Sequence, residues 1–271
     1  MVDSFDSPFI QVFRSELKLN LLLSLLGGGK ELGELRDEIG SSGSTIIHAL
    51  QDLESIRLTH KDDKAYKLTS IGKVFSIFLK EANSMITVLE DFNNFWLLHD
   101  IEVIPFDLLK RIGELEDSYL VQDSSTDLAK VHMTFQEILV TSTKLKGASP
   151  IFHPDYIGVF QQLLSNGAIV DLILTSDVLN RTMTLVDPQE LLSYIREERL
   201  RVYVMDELRL ALTVTENSFS LGLFRYNGTY DYGMDLISNS EKAINWGNEL
   251  FGRLLENAER LDWGQILSEN T

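Results

Sequence analysis

The stretch ELGELRDEIGSSGSTIIHALQDLESIRLTHKDDKAYKLTSIGKVF, residues 31–75, decides the fold of the front of this chain. Leu32, Leu35 and Ile39 recur at helical spacing, and Gly40 ends that short helix because glycine takes the left-handed conformation needed just past a helix end. Ser41 or Ser42 then caps a second helix, whose Ile46, Ala49, Leu50 and Leu53 face inward. Two helices joined by a short glycine-containing turn are the signature of a helix-turn-helix, whose second helix lies in the major groove of DNA. Beyond it, RLTHK and AYKLT alternate like strands, and Asp62-Asp63-Lys64 supplies the polar turn that folds them into a hairpin, the wing. Thr69 is placed to cap a further helix. Its apolar positions Val74, Ile77, Phe78, Met85, Val88, Leu89 and Phe92 predict one long packing helix from Lys73 to Leu98, suited to a linker or a dimer seam.

Upstream, SPFIQVFRSELKLNLLLSLLGGGK (residues 7–30) places Ile10, Phe13, Leu17, Leu21 and Leu25 on one face of a predicted helix started by Ser7 and Pro8 and stopped by Gly27, Gly28 and Gly29. The order helix, helix, turn, helix, hairpin, helix resembles the winged helices of archaeal and bacterial one-component repressors. The run YKLTSIGKVF matches their Leu-Thr-x-x-Gly exit from the wing.

Charge sorts the chain into two parts. The net charge is −17, which opposes simple nucleic-acid binding because phosphate neutralisation needs lysine and arginine. Residues 1–90, however, hold 10 Lys and Arg against 13 Asp and Glu, and residues 91–271 hold 14 against 28, so the acidity belongs to the rear. Residues 57–80 carry six bases, Arg57, Lys61, Lys64, Lys67, Lys73 and Lys80, against only Asp62 and Asp63. A local positive field can grip phosphate on a molecule that is anionic as a whole.

The DNA-binding expectation therefore divides between positioning and reading. Lys61, Lys64 and Lys67 of the wing are expected beside the backbone or minor groove. Ser42, Ser44, Thr45, His48 and Gln51 face base edges or phosphates, and Ile47 a thymine methyl. Plainer roles stand beside these: wing lysines as solvated charges, Ser42 or Ser44 as a cap, His48 as a surface histidine. Between Ser41 and Ile56 there is no lysine or arginine, so useful affinity needs two copies reading a roughly palindromic operator. A winged-helix adaptor without DNA binding is the alternative.

From about residue 100 the pattern mixes helices and strands. IPFDLLKRIGEL, LLSYIREER and SEKAINWGNELFGRLLENAERL read as helices. GAIVDLILTSD, LRVYVMD, RLALTVTEN and SFSLGLFRYNG read as strands. The expected fold class is α+β or α/β: a winged helix-turn-helix over residues 1–72, a linker or dimerisation helix over 73–98, and a mixed α/β effector-sensing or oligomerisation domain over 99–271. In this rear part GASPIFHPDY, VDLILTSDVL, SLGLFRYNGTYDYGMDLIS and AINWGNELF resemble, in order, the effector-side domain of the archaeal methanogenesis-regulator family of winged-helix proteins. With the front part the resemblance covers nearly the whole chain. It implies transcription control in an archaeon, a methanogen, without naming an effector.

A ligand pocket is expected around Ser149, His153, Tyr156, Thr175, Ser176, Arg181, Tyr232 and Trp246, near strand ends and in polar-aromatic loops. Core packing or turn formation is the plainer role for each. Catalysis finds little to work with. His48, His60, His99, His132 and His153 show no metal-binding spacing, there is no Gly-x-Ser-x-Gly elbow, and Gly27-Gly28-Gly29-Lys30 lacks the form of a phosphate loop. A phospholipase-D-like His-x-Lys start is missing as well. No enzyme activity, metal or cofactor is expected. The chain has no cysteine, which excludes disulfides and fits a reducing cytoplasm, and LNLLLSLL is too short to span a membrane. The expected partners are double-stranded DNA, a second copy of the chain and a small effector, and not a membrane.

Overall fold

The computed structural model describes residues 7–263. It divides into two compact units, one up to Ile86 and one from Thr87. The first unit runs α1 (Pro8–Val12), α2 (Glu16–Ser24), a 3-10 turn (Leu25–Gly27), β1 (Lys30–Glu31), α3 (Leu32–Ile39), α4 (Gly43–Ser55), β2 (Thr59–Asp62), β3 (Ala65–Leu68) and α5 (Ser70–Asp91), the last helix crossing the boundary. Two departures from expectation lie at its start. The helix expected from Ser7 onward is two helices, because Ser15 takes an extended conformation and its hydroxyl accepts from the Lys18 N–H at 3.4 Å. A serine inside an apolar pattern offers the backbone this competing cap. The second departure is β1, whose two residues are too few for alternation to show.

Elsewhere the local chemistry acts as its residues dictate. Gly40 is left-handed (φ 73°) and its N–H closes on the Arg36 carbonyl. The Glu34 carboxylate accepts from the Glu31 N–H at 2.7 Å, holding the first turn of α3. The Ser42 hydroxyl accepts from the Thr45 N–H at 3.3 Å and starts α4. Asp63 turns the hairpin with φ 52°, a conformation aspartate tolerates better than most residues. The three-stranded sheet has the order β1-β3-β2, all antiparallel, with His60 opposite Lys67 and Lys61 opposite Tyr66. Leu21, Leu22, Leu35, Ile46, Leu50, Leu53 and Leu58 are fully buried together. Each contributes about 2 kcal/mol of hydrophobic free energy, and together they fix α4 with its opposite side outward. This unit is a winged helix-turn-helix.

The long helix expected from Lys73 to Leu98 breaks at Phe92, where α5 gives way to α6 (Asn93–Leu98). The Trp96 indole N–H reaches back to the Val88 carbonyl at 3.0 Å and stabilises the bend.

The second unit continues with α7 (Phe106–Leu109), a 3-10 turn (Ile112–Leu115), β4 (Ser118–Gln122), α8 (Lys130–Val140), β5 (Lys144–Ser149), α9 (Pro154–Ser165), β6 (Ile169–Leu174), α10 (Ser176–Met183), α11 (Pro188–Arg196), β7 (Leu200–Val204), β8 (Leu210–Thr215), β9 (Phe219–Leu223), β10 (Met234–Ser238), α12 (Glu241–Leu255) and β11 (Glu259–Arg260). The strands form one mixed sheet, β11-β7-β6-β5-β8-β9-β10-β4. Strands β5, β6 and β7 are parallel and joined through helices, and the remaining pairings are antiparallel. Every residue of β9 and β10 is buried, so this part of the sheet is covered on both faces. On one face, α12 lies so close that a Cβ on Gly247 would sit 2.5 Å from the Phe219 ring. No helix among the described residues is long and apolar enough to cross a membrane.

Candidate nucleic-acid interface and ligand cavity

Helix α4 buries Ile46, Ala49, Leu50 and Leu53 and exposes Ser44, Thr45, His48 and Gln51, with Ile47 half-buried between them. Ser42 is committed to capping, and its hydroxyl also meets those of Ser44 (3.0 Å) and Thr45 (2.7 Å). Lys18 of α2 pairs with Asp52 at 2.8 Å and removes one carboxylate from the field near this helix. On the wing the three lysines differ. The Lys67 ammonium pairs with Asp62 at 2.7 Å and holds that carboxyl below its ordinary range. Lys61 lies over the Tyr66 ring, 5.3 Å from its centre. Among the described residues neither Lys61 nor Lys64 makes an ion pair, and both are exposed. The unit thus presents a polar helix face and two free ammonium groups, with a third already neutralised.

The second unit encloses a cavity of about 460 Å³ beside β5, β6 and α9. Phe135, Phe160, Leu164, Leu172, Leu191 and Trp263 line most of it, and a polar end gathers His132, His153, Asp155, Tyr156, Asp123 and Asp235. Of the expected ligand residues, Ser149, His153, Tyr156 and Tyr232 line this cavity. Ser149 shapes its own turn through both backbone groups of Ile151. His153 caps α9, its Nδ1 accepting from the Asp155 N–H at 3.3 Å. Tyr156 stacks on His132, with ring centres 5.1 Å apart, and burial pushes its hydroxyl pKa well up.

The other four expected residues are elsewhere. The Thr175 hydroxyl caps α10 through the Val178 N–H, and Ser176 is exposed at the first position of that helix. The Arg181 guanidinium rests over the ring of Phe152, 4.4 Å from its centre, and does not itself line the cavity. Trp246 is a correction: it is fully buried, edge-on to Phe219, with its indole N–H bound to the Leu108 carbonyl at 3.1 Å, which leaves nothing to offer a ligand.

Sequence reasoning missed the most unusual group in the cavity. Asp235 is 6% exposed, and its Oδ2 accepts from the Ser220 hydroxyl at 3.2 Å. Among the described residues its Oδ1 finds no hydrogen bond of good geometry, although the Tyr230 hydroxyl lies near it. Burial pushes Asp235 up to about 6, the Ser220 and Tyr230 hydroxyls offset part of that, and the carboxylates of Asp231 and Asp123 push the same way as burial. A half-satisfied carboxyl in a cavity is set up to meet a donor on a bound molecule. The one available signal was a lone acid in MDLIS, a strand buried on both faces. His132 was missed because twenty residues of sequence separate it from His153.

Comparison with known proteins follows the same two-unit division. The N-terminal domain of the methanogenesis regulatory protein FilR1 matches residues 9–90, and the middle domain of that protein matches residues 128–257. The methanogenesis regulatory protein FilR1 of Methanothrix harundinacea is 33% identical over 266 residues, 95% of this chain and 59% of the relative, so the chain spans about three-fifths of that protein's length. Among solved structures, the archaeal chromatin protein TrmBL2 aligns over 95% of this chain and 100% of its own, at 14% identity and a TM-score of 0.44. NucT from Helicobacter pylori aligns over 53% of this chain and 98% of its own, at 13% identity and a TM-score of 0.40.

Proposed function

The chain belongs to the family of methanogenesis regulatory proteins typified by FilR1, and on that premise we propose that it is a sequence-specific DNA-binding transcription regulator that holds its operator as a dimer. The observation that carries this reading is the outward polar side of α4, formed by Ser44, Thr45, His48 and Gln51, in the same unit as the unpaired ammonium groups of Lys61 and Lys64. Hydroxyl, imidazole and amide groups on a helix of this kind suit the donor and acceptor pattern of the major groove, and wing lysines suit phosphate.

Dimerisation is supported by an apolar stripe on α5. Ile71, Val74 and Phe78 are 56%, 70% and 53% exposed, at three-and-four spacing on one side of the helix. Apolar residues so spaced and so exposed are the seam of a helix that packs against another. Two copies would set two recognition helices about one duplex turn apart.

The cavity of the second unit supports effector sensing. A small molecule held there acts on DNA binding only by favouring one arrangement of the dimer over the other, and that difference in affinity is the whole of its effect. One observation favours the adaptor reading: α4 carries no cation, and Lys67 is spent on Asp62.

Selection from a pool of random duplexes separates the two. A regulator enriches a roughly palindromic site whose affinity falls with rising salt. An adaptor enriches nothing.

A further inference from the structure

Helix α8 and the start of α9 pack together in the second unit and bring His132 to His153 and Asp155. The imidazole centres lie 4.5 Å apart. His132 Nε2 is 3.7 Å from Asp155 Oδ2, and His153 Nδ1 is 3.8 Å from the same oxygen. One donor atom from each of the three residues falls within 4.8 Å of the others. We propose that these residues are a binding site for a divalent transition-metal ion, at the polar end of the cavity.

A tetrahedral ion with bonds of about 2.1 Å holds its ligand atoms about 3.4 Å apart. The His132 separation is within a few tenths of an ångström of that; the His153 Nδ1 lone pair caps α9 through the Asp155 N–H, so the half-exposed His153 must give up that cap or turn its Nε2 to the ion, and the exposed Asp155 can follow it. The surroundings fit as well. His132 Nδ1 is 3.1 Å from the Tyr156 hydroxyl. In the tautomer that donates this Nδ1–H, the Nε2 lone pair is left for a metal ion on the side of Asp155; in the other, Nε2–H faces that carboxylate directly. Metal-bound histidines are ordinarily fixed in this way by a partner on the second nitrogen. Asp155 sits in the first turn of α9. Asp123 and Asp235 line the same cavity, so a divalent charge is electrostatically welcome. Two imidazoles and one carboxylate favour zinc, cobalt or nickel over magnesium or calcium. Three protein ligands leave an open position, and a molecule in the cavity with an oxygen donor would occupy it.

The inference stands whether or not the cavity governs DNA binding. Its test is metal titration of the untagged full chain after chelation, with Co²⁺ followed by visible absorption and Zn²⁺ by calorimetry. One ion per chain is expected. His132→Gln and Asp155→Asn should each weaken binding at least ~100-fold, Tyr156→Phe by ~10-fold, and His48→Ala with His60→Ala not at all, all with unchanged circular dichroism. Binding that survives His132→Gln with Asp155→Asn, binding lost in the His48 and His60 variant, or no binding of Co²⁺ or Zn²⁺ would overturn the proposal in favour of an ordinary imidazolium–carboxylate pair.

Discussion

The carbonyl oxygen of Leu58 lies 1.8 Å from where a Cβ on Gly72 would be. No side chain fits at that distance, and the obstacle is backbone. The same carbonyl accepts from the Thr69 N–H at 3.0 Å, the Thr69 hydroxyl donates to the Arg57 carbonyl at 2.6 Å, and that hydroxyl accepts from the Gly72 N–H at 3.0 Å. The Leu-Thr-x-x-Gly pattern is therefore the clasp that ties the chain entering the wing to the first turn of α5. Gly72→Ala should destabilise the first unit by about 3 kcal/mol, and Thr69→Ala by about 1 kcal/mol through loss of the cap. Urea denaturation measures both, and an alanine at 72 as stable as wild type would refute the clasp.

The three wing lysines should not be equivalent. Lys61→Ala and Lys64→Ala each remove a free cation, so each should weaken binding to all duplexes alike and lower the slope of log affinity against log salt by about 1. Lys67→Ala should do less, because its charge is already matched by Asp62 at 2.7 Å. Asp62→Asn releases Lys67 and should strengthen binding. Fluorescence anisotropy over a salt series reads all four variants; equal losses at Lys61, Lys64 and Lys67 would mean that the Asp62 pair opens on DNA.

What could be read in advance follows from how local each signal is. Gly40, Ser42 and the apolar spacing of α4 act within a few residues, so the winged helix was visible in its sequence. Ser15 misled the reading because a capping hydroxyl within the apolar spacing that runs from Ile10 to Leu25 looks like one more polar position on a helix. In the second unit, β6 to β9 announced themselves as apolar runs. Strand β10 did not, since Asp235 interrupts it and only a covered sheet explains why that acid is buried. The cavity draws His132, His153 and Asp235 from three separate elements, and nothing local links them. Trp246 failed for the opposite reason: an aromatic expected at a ligand, on a helix that its spacing had announced, proved to be the centre of a helix–sheet contact.

If α5 is the dimer seam, charge placed on its apolar stripe should separate the copies. Val74 and Phe78 are 70% and 53% exposed, so Val74→Glu with Phe78→Glu should leave the fold of the unit intact. Sedimentation equilibrium should then show monomers. Operator affinity should fall ~100-fold or more, since the second half-site no longer binds as part of the same assembly. A dimer that persists in this variant would place the seam elsewhere.

Asp235 gives the second unit a pH dependence of known sign. Its carboxyl is pushed from an ordinary 3.8 up to about 6, so between those values the folded chain holds a proton that the unfolded chain has released. Stability then falls as pH rises through that window, by about 3 kcal/mol in full, and the loss is complete above pH 6. Asp235→Asn keeps the shape and the Ser220 contact but carries no charge. It should therefore be more stable than wild type at pH 8 and indistinguishable from it near pH 4, the difference between the two proteins cancelling all other carboxylates. The cost at neutral pH is one that a cavity molecule donating to Oδ1 would relieve, so the same substitution should weaken such a molecule's binding while it stabilises the empty protein. Denaturation of both proteins across pH 4 to 8 decides the matter: a variant less stable than wild type at pH 8 would show that Asp235 is a fully paired structural carboxylate and not a half-satisfied one.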